Sequence, residues 1–299
     1  MTKTITVLDG GMGRELARIG APFRQPEWSA LALIEGPEWV VQAHRNFIEA
    51  GAEVITTNSY AVVPFHIGEE RFAAEAFDLA NTAGRLARAA ADGAADAVLV
   101  AGSLPPLFGS YLPELFDEAD AHRIIDPLMA GMDSYVDVWL GETLGSIAEA
   151  HAVRAALDRS GADRRPLWIA YTLADSAIGV LRSGEPVADA VRAAVDLGAT
   201  AVLFNCCQAE SISAALESTA NIATPGVRFG GYANRFVTAH SDSGQANEQL
   251  SAFRDDLGPA DYARSVKRWI DLGATIVGGC CGMGPDHIAE IARLVGEDG

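Results

Sequence analysis

Short apolar runs alternate with longer amphipathic patterns along most of this chain. Eight of the runs are almost continuously apolar, which is typical of parallel strands that are covered on both faces. The predicted strands are Thr4–Asp9, Glu53–Asn58, Ala97–Gly102, Val136–Gly141, Leu167–Thr172, Ala201–Cys206, Val227–Tyr232 and Thr275–Cys280.

Apolar residues at helical spacing fill the segments between these strands. The first predicted helix begins near Pro37 and ends before Gly51. The other predicted helices are Glu69–Ala91, Ala119–Asp133, Ile147–Arg159, Val187–Leu197, Ile212–Ala220, Ala260–Leu272 and Pro285–Val295. A helix-ending phrase, Asp-Leu-Gly-Ala-Thr, starts at Asp196 and again at Asp271, each time before a strand.

Eight alternating strand–helix units predict an α/β fold, a single (β/α)8 TIM-type barrel that occupies residues 1–299 as one domain. An open doubly wound sheet is the alternative, but it usually has fewer strands. Two polar segments, Gly20–Gly36 and Ala233–Pro259, show no clear helix or strand. We expect both to be long loops over the mouth of the barrel, where long loops are usually functional.

The composition narrows the class of partner. The net charge is −18, which argues against nucleic acid and anionic membranes because both require a basic surface. No secretory signal is visible, and no apolar run reaches the roughly 18 residues that span a bilayer. Four cysteines without a disulfide pattern suit a reducing compartment. We therefore expect a cytoplasmic protein.

The cysteines form two vicinal pairs, Cys206-Cys207 and Cys280-Cys281, each at the end of a predicted strand. Adjacent cysteines are poor disulfide partners because the small ring strains the S–S geometry. The two strands are two apart, so their carboxyl ends can face a common centre at the active end of the barrel. Gathered thiolates bind zinc; the alternative is that the cysteines pack as small hydrophobic residues.

Three thiolates on zinc leave the fourth position open, as a catalytic site requires. Their formal charge makes the site anionic, so the zinc would be a poor Lewis acid for hydrolysis. A thiol bound there would lose its proton and keep much of its nucleophilicity. The expected chemistry is therefore alkyl transfer to a bound thiol.

The motifs resemble those of the homocysteine S-methyltransferase family, zinc-dependent (β/α)8 barrels that methylate homocysteine to methionine. The resemblance covers nearly the whole chain, and it is carried by the segments LDGGMGRELARIG, WSALALIEGPEWVVQAHRNFIEAGAEVITTNSY, VAGSLPP, GETLGSIAEA, FNCC and VGGCCGMGPDHIAEI. It implies a Zn²⁺ cofactor held by Cys206, Cys280 and Cys281.

Cys207 is additional to the family pattern, and we expect it to point away from the metal because neighbours on a strand face opposite sides. We expect His287 to lie on the surface of the last helix and not to bind the metal.

The resemblance also implies a site for an amino acid. Asp9 and Glu142 are expected to pair with the ammonium group of homocysteine, and Glu142 to be the catalytic carboxylate. The backbone N–H groups of Gly10 and Gly11 are expected to receive its carboxylate.

Trp28 matches an aromatic residue near the mouth, where its ring can face an onium donor or anchor a lid. Asn234 matches the asparagine of a Tyr-Pro-Asn motif, but Ala233 replaces the proline and Arg235-Phe236 departs from the pattern. Because this motif belongs to the substrate pocket, the departure bears on the detail of that pocket and on whether homocysteine is the methyl acceptor.

The expected activity is methyl transfer to L-homocysteine from S-methylmethionine, S-adenosylmethionine or betaine. We expect neither a cobalamin-binding or folate-binding domain nor the long C-terminal arm of betaine-using tetramers, and this expectation disfavours betaine as the donor. The alternatives are the same chemistry on another thiol and a non-catalytic protein that binds a thiol or amino acid through zinc. We expect small-molecule substrates as partners, and a monomer or small homo-oligomer.

Overall fold

Eight parallel strands form one sheet in the computed structural model, which describes residues 5–161, 165–175, 178–220, 222, 225–237 and 252–297. The strands are β1 (Thr6–Val7), β2 (Val54–Thr56), β3 (Leu99–Leu104), β4 (Val138–Leu144), β5 (Leu167–Tyr171), β6 (Ala201–Asn205), β7 (Arg228–Tyr232) and β8 (Ile276–Val277).

The sheet closes on itself. Its order is β1-β8-β7-β6-β5-β4-β3-β2, and each neighbouring pair is parallel. Between the two ends of this order, the N–H of Glu53 donates to the carbonyl of Val7 at 2.8 Å, and the N–H of Asp9 donates to that of Val54 at 3.0 Å. The predicted (β/α)8 barrel is therefore confirmed.

Helices surround the barrel, and some of them were not predicted. The described residues form α1 (Met12–Ile19), α2 (Ala30–Glu35), α3 (Pro37–Glu49), α4 (Pro64–Ile67), α5 (Glu69–Asp92), α6 (Ala121–Met132), α7 (Ile147–Ser160), α8 (Val187–Asp196), α9 (Ala209–Thr219), α10 (Pro259–Asp271) and α11 (Pro285–Glu297). The prediction of a loop without elements over Gly20–Gly36 is wrong, because α2 lies within it and buries its apolar residues. Within the described residues, no helix has both the length and the apolar character needed to cross a membrane.

Apolar side chains divide into two layers. One fills the interior of the barrel with residues from all eight strands or their ends. Its members are Leu8, Val54, Ala101, Val138, Leu140, Trp168, Ala170, Ala201, Leu203, Tyr232 and Ile276. The other lies between barrel and helices, where α3, for example, buries Val40, Ala43 and Phe47 at helical spacing. The inner layer fills the barrel below its carboxyl ends, so the cavity above it has an apolar floor.

Most strands end a few residues from their predicted ends, and the difference matters most for the two strands that precede the cysteine pairs. β6 ends at Asn205 and β8 at Val277, so the paired cysteines lie in turns beyond the strands. The repeated phrase does close helices, as predicted: α8 and α10 each end at its aspartate, and Gly198 and Gly273 follow with φ of 81° and 103°. The second predicted loop is described only at 233–237 and 252–259, and the rest of it lies outside the described residues.

Candidate metal centre and substrate cavity

A cavity of about 190 Å³ opens at the carboxyl ends of the strands. Nearly all of the residues proposed from the sequence surround it, together with several aromatic residues. The lining residues are Asp9, Gly10, Gly11, Met12, Gly13, Arg14, Phe23, Trp28, Ser29, Thr56, Thr57, Asn58, Tyr60, Ala61, His66, Ser110, Tyr111, Glu142, Thr143, Cys206, Tyr232, Phe236, Gly279, Cys280 and Cys281.

Three thiols meet on one wall of the cavity. The sulfur atoms of Cys206, Cys280 and Cys281 all lie within 4.8 Å of one another, and those of Cys206 and Cys281 are 3.6 Å apart. Sulfurs that share a tetrahedral zinc at 2.3 Å are about 3.8 Å apart. A disulfide would need about 2.05 Å, and all the cysteines are free. The group therefore has the donor type and the spacing of a three-thiolate zinc site.

Backbone hydrogen bonds between the two turns bring these thiols together. The N–H of Cys206 donates to the carbonyl of Tyr232 at 3.1 Å, and the N–H of Cys280 donates to that of Ala233 at 2.9 Å. The carbonyl of Cys281 accepts from the N–H of Arg235 at 2.8 Å. The last residue of β7 and the segment that follows it thus contact both cysteine turns and fix their separation.

The thiols form one titrating group. Hydrogen bonds from Cys280 and Cys281 hold the pKa of Cys206 well below its usual range. The pKa values of Cys280 and Cys281 are raised in turn, first by their interaction with Cys206 and then by burial. One thiolate forms readily, and the other two need a cation to stabilise their charge.

Cys207 packs in the core, as expected, but for another reason. Cys206 lies beyond β6 with a left-handed φ of 50°, so the alternation of a strand does not extend to it. The turn directs Cys206 towards the other thiols and leaves Cys207 fully buried between barrel and helices. Burial raises the pKa of the Cys207 thiol to about 12.

Backbone strain is concentrated around the cavity. Among the described residues, the four non-glycine residues with positive φ are Trp28, Tyr111, Thr143 and Cys206, and all four line it. Such a conformation costs about 1–2 kcal/mol at each residue. Asn205 holds one of them, since its amide oxygen accepts from the N–H of Thr143 and its NH₂ donates to the hydroxyl, both at 2.9 Å. The asparagine before Cys206 therefore fixes the strand end that carries Glu142.

Two buried carboxyl groups face the cavity near the thiols. Asp9 accepts from the N–H of Thr56 at 2.7 Å and from its hydroxyl at 3.0 Å. Glu142 accepts from the hydroxyl of Ser103 and, at 3.3 Å, from that of Tyr232. Burial raises the pKa of Asp9 to about 8 and that of Glu142 to about 7. The hydrogen bonds lower both pKa values, but the effect of burial is larger. A cation bound beside these carboxyl groups would lower their pKa values and favour their ionised forms.

The role expected for the Gly11 N–H is wrong. That N–H donates to the carbonyl of Met283 at 2.9 Å, so it has no capacity left for a substrate carboxylate. A Cβ at Gly11 would lie 2.7 Å from the carbonyl oxygen of Cys280, and one at Gly10 would lie 2.3 Å from that of Met283. The two glycines are required because the chain passes directly against the turn that carries Cys280 and Cys281.

Of the remaining residues considered in the sequence, Trp28 lines the cavity, whereas Asn234 and His287 are buried outside it. Trp28 lines the cavity, with its ring edge-on to Phe23 at 5.6 Å. Asn234 is buried and does not line it, because its side-chain oxygen accepts from the N–H of Phe236 at 3.1 Å. His287 lies in α11 but is buried, with Nε2 3.2 Å from the carbonyl oxygen of Leu257, so its expected surface position is wrong.

The lining also includes residues that were not proposed from the sequence, among them Asn58, Tyr60 and Tyr111. Tyr60 and Tyr111 line the cavity, and the hydroxyl of Tyr111 lies 2.9 Å from the sulfur of Cys206. Asn58 donates to the carbonyl of Ser29 at 2.9 Å, while its Oδ1 is buried and accepts no hydrogen bond from the described residues. The strand-end motif Thr57-Asn58-Ser59-Tyr60 contains two of these residues, but no sequence signal marks Tyr111.

Comparisons with known proteins agree with this geometry. The family model described as Homocysteine S-methyltransferase matches residues 6–295. Homocysteine S-methyltransferase 1 of Zea mays is 28% identical, over 97% of this chain and 94% of the relative. Homocysteine S-methyltransferase of Escherichia coli K12 is also 28% identical, over 96% and 94%. The crystal structure of the homocysteine methyltransferase MmuM from Escherichia coli, in a metallated form, superposes with a TM-score of 0.80 at 26% identity, over 98% of this chain and 96% of MmuM.

Proposed function

The chain belongs to the homocysteine S-methyltransferase family, and we propose that it transfers a methyl group from a small onium donor to the thiol of L-homocysteine, giving methionine. The observation that carries the proposal is one cavity in which three thiols lie beside two buried carboxyl groups. A thiol-bearing amino acid has one group for each part of this cavity. Its thiol can bind at the three-thiol metal centre, and its ammonium group can pair with the two carboxylates.

Cys206, Cys280 and Cys281 are the proposed ligands of a Zn²⁺ ion. When bound there, zinc with three thiolates would stabilise an entering thiol as a thiolate and leave it nucleophilic. The residues of this chain fix the three sulfurs through the turn after β7 and exclude water beneath them with the apolar layer of the barrel.

Asp9 and Glu142 are the proposed partners of the substrate ammonium group, and Glu142 is also the proposed catalytic carboxylate because it orients the acceptor beside the thiols. The buried Oδ1 of Asn58 supplies a further acceptor. Met12 and Gly13, at the N-terminus of α1, line the cavity, and the first-turn N–H groups of a helix have no acceptor within the helix. With the N–H of Gly10, they suit the substrate carboxylate at the positive end of the helix dipole.

The proposed donor subsite is the aromatic part of the cavity. Trp28, Tyr60 and Phe236 line it, and a sulfonium or quaternary ammonium group is attracted to such rings. S-methylmethionine and S-adenosylmethionine are the proposed donors, and betaine is the third candidate. Phe236 belongs to the Arg235-Phe236 departure from the family motif and also lines the cavity, which keeps a different thiol acceptor as the second candidate function.

A screen of donors and acceptors on zinc-loaded protein tests the proposal. We expect methionine, detected by mass spectrometry, from homocysteine with at least one sulfonium donor. Cysteine, glutathione and 2-mercaptoethanol serve as the competing acceptors. Methylation of one of these with none of homocysteine would favour the second candidate. No methylated product from any pair would remove the proposed activity and favour a binding protein.

The raised pKa values of the carboxyl groups predict pH-dependent binding of an amino acid. Norleucine carries the ammonium and carboxylate groups of homocysteine without its thiol. In the free protein the raised pKa values keep Asp9 protonated below about pH 8 and Glu142 protonated below about pH 7. The bound ammonium favours their ionised forms, so binding releases protons and the affinity rises with pH. We expect calorimetry to show norleucine binding at least about tenfold tighter at pH 8 than at pH 6. Equal affinity at the two values would mean that neither carboxyl group meets the ammonium.

A further inference from the structure

The hydroxyl of Tyr111 contacts one of the three thiols from outside their group. It lies 2.9 Å from the sulfur of Cys206, whereas neither Cys280 nor Cys281 has a tyrosine hydroxyl against its sulfur among the described residues. A thiolate has no proton to give, so in the ionised site the tyrosine must be the donor. One of the proposed metal ligands therefore differs from the other two in its hydrogen bonding.

A buried ion pair holds the ring of Tyr111. The guanidinium carbon of Arg182 lies 4.6 Å from the ring centroid, and Nη2 of Arg182 lies 3.0 Å from Oδ2 of Asp175. The two charged side chains are only 6% and 11% exposed, so their interaction is little screened by water. A cation over the ring draws electron density from it and makes the phenolic hydroxyl a better donor.

The same arginine is linked to the backbone of Cys206. Nε of Arg182 donates to the hydroxyl of Thr172 at 3.4 Å, and that hydroxyl donates to the carbonyl of Cys206 at 3.3 Å. Tyr111 and Cys206 both have left-handed backbones, with φ of 67° and 50°. Strained residues keep such conformations only where their surroundings determine them. The loop after β5 thus fixes both partners of the hydroxyl–sulfur contact.

We propose that Tyr111, positioned by Arg182 and Asp175, keeps the Cys206 thiolate hydrogen-bonded and lowers its nucleophilicity, so that the acceptor and not the ligand takes the methyl group. The inference rests on the proposed function. An onium donor in the cavity faces several thiolates. Transfer to Cys206 would form an S–CH₃ bond, break the donor's bond to that methyl and release the neutral donor. It would also leave a thioether in place of a thiolate ligand. A hydroxyl that engages the Cys206 lone pair opposes this reaction.

Alkylation of the zinc-loaded protein, without homocysteine or a methyl donor, tests the proposal independently of methyl transfer. Iodoacetamide forms an S–C bond with the thiolate and releases iodide, and peptide mass spectrometry reports the rate at Cys206. We expect Tyr111→Phe to raise that rate about tenfold, as the loss of a hydrogen bond to a charged group implies. Tyr232→Phe is the matched control, because its hydroxyl bonds Glu142 and not a sulfur, and it should leave the rate at Cys206 unchanged.

Arg182 gives a second test through a residue that does not touch the sulfur. Arg182→Met should also accelerate alkylation of Cys206, while Arg182→Lys, which keeps a cation beside Tyr111 and Asp175, should restore much of the wild-type rate. In cobalt-loaded protein, the thiolate-to-metal charge-transfer band should move to lower energy in Tyr111→Phe, because an unbonded sulfur lone pair lies higher. A wild-type alkylation rate, an unshifted band, or loss of the metal from Tyr111→Phe would overturn the proposal. Failure of the wild-type protein to bind zinc would instead overturn the proposed function.

Discussion

Alanine at Cys206, Cys280 or Cys281 is expected to lower methionine formation by more than about 100-fold and to lower zinc affinity sharply. The physical reason is that each variant leaves two thiolates, and even partners outside the ligand set change metal affinity or activity by 10- to 100-fold. The barrel should still fold, because its two apolar layers do not depend on the metal centre. Metal analysis of the purified variants, with a donor-saturated assay, checks both effects.

Cys207→Ala is the matched control for this series. It removes the same chemical group one residue away, from a position buried in the layer between barrel and helices. We expect it to keep zinc and activity and to lose about 1 kcal/mol of stability from the small cavity it creates. If Cys207→Ala lost the metal while Cys206→Ala kept it, the assignment of the ligand at the end of β6 would be reversed.

Glu142→Gln and Asp9→Asn are each expected to weaken homocysteine binding by about 10- to 150-fold while zinc stays bound. Each change removes a negative charge where we place the ammonium group, and a hydrogen bond to a charged group contributes about 1.5–3 kcal/mol. The amide has nearly the volume of the carboxyl group, so the contacts to Ser103 or to Thr56 remain available. The Kd of homocysteine, from calorimetry at fixed pH, measures the effect.

Glu149→Gln provides the comparison for these two variants. Burial raises the pKa of Glu149 to about 7, as for Glu142, but Glu149 accepts from the N–H of Gly145 and does not line the cavity. A wild-type Kd is therefore expected for Glu149→Gln. Unchanged affinity in both Glu142→Gln and Asp9→Asn would exclude them as partners of the ammonium group.

Periodicity in the sequence was sufficient to predict the barrel. Parallel strands buried on both faces leave apolar runs, and helix ends leave a repeated glycine phrase, so both features were visible in the chain. The short helix α2 was missed because its apolar run Ala-Leu-Ala-Leu-Ile lies inside a polar loop and is too short to show a helical period. The assignment of residues 1–299 to one domain, the cytoplasmic location and the oligomeric state stay predictions.

The site was predictable where residue type alone determines the chemistry. Two cysteine pairs and two strand-end carboxylates indicated the thiols and the buried acids. The hydrogen bond that occupies the N–H of Gly11, and the left-handed turn that separates Cys206 from Cys207, depend on how distant segments meet. Tyr111 reaches Cys206 from 95 positions away along the chain, and local patterns carry no information on such a contact.

X-ray absorption at the zinc edge tests the central claim most directly, namely that the acceptor thiol binds at the three-thiol centre. The zinc-loaded protein is measured alone and with saturating homocysteine. We expect the number of sulfur neighbours to rise from three to four, with Zn–S distances near 2.3 Å. Norleucine, which lacks the thiol, should leave the number at three. If zinc keeps only three sulfur neighbours when homocysteine is bound, the account is contradicted. The zinc would then have a structural role, and the amino acid would bind at a separate site.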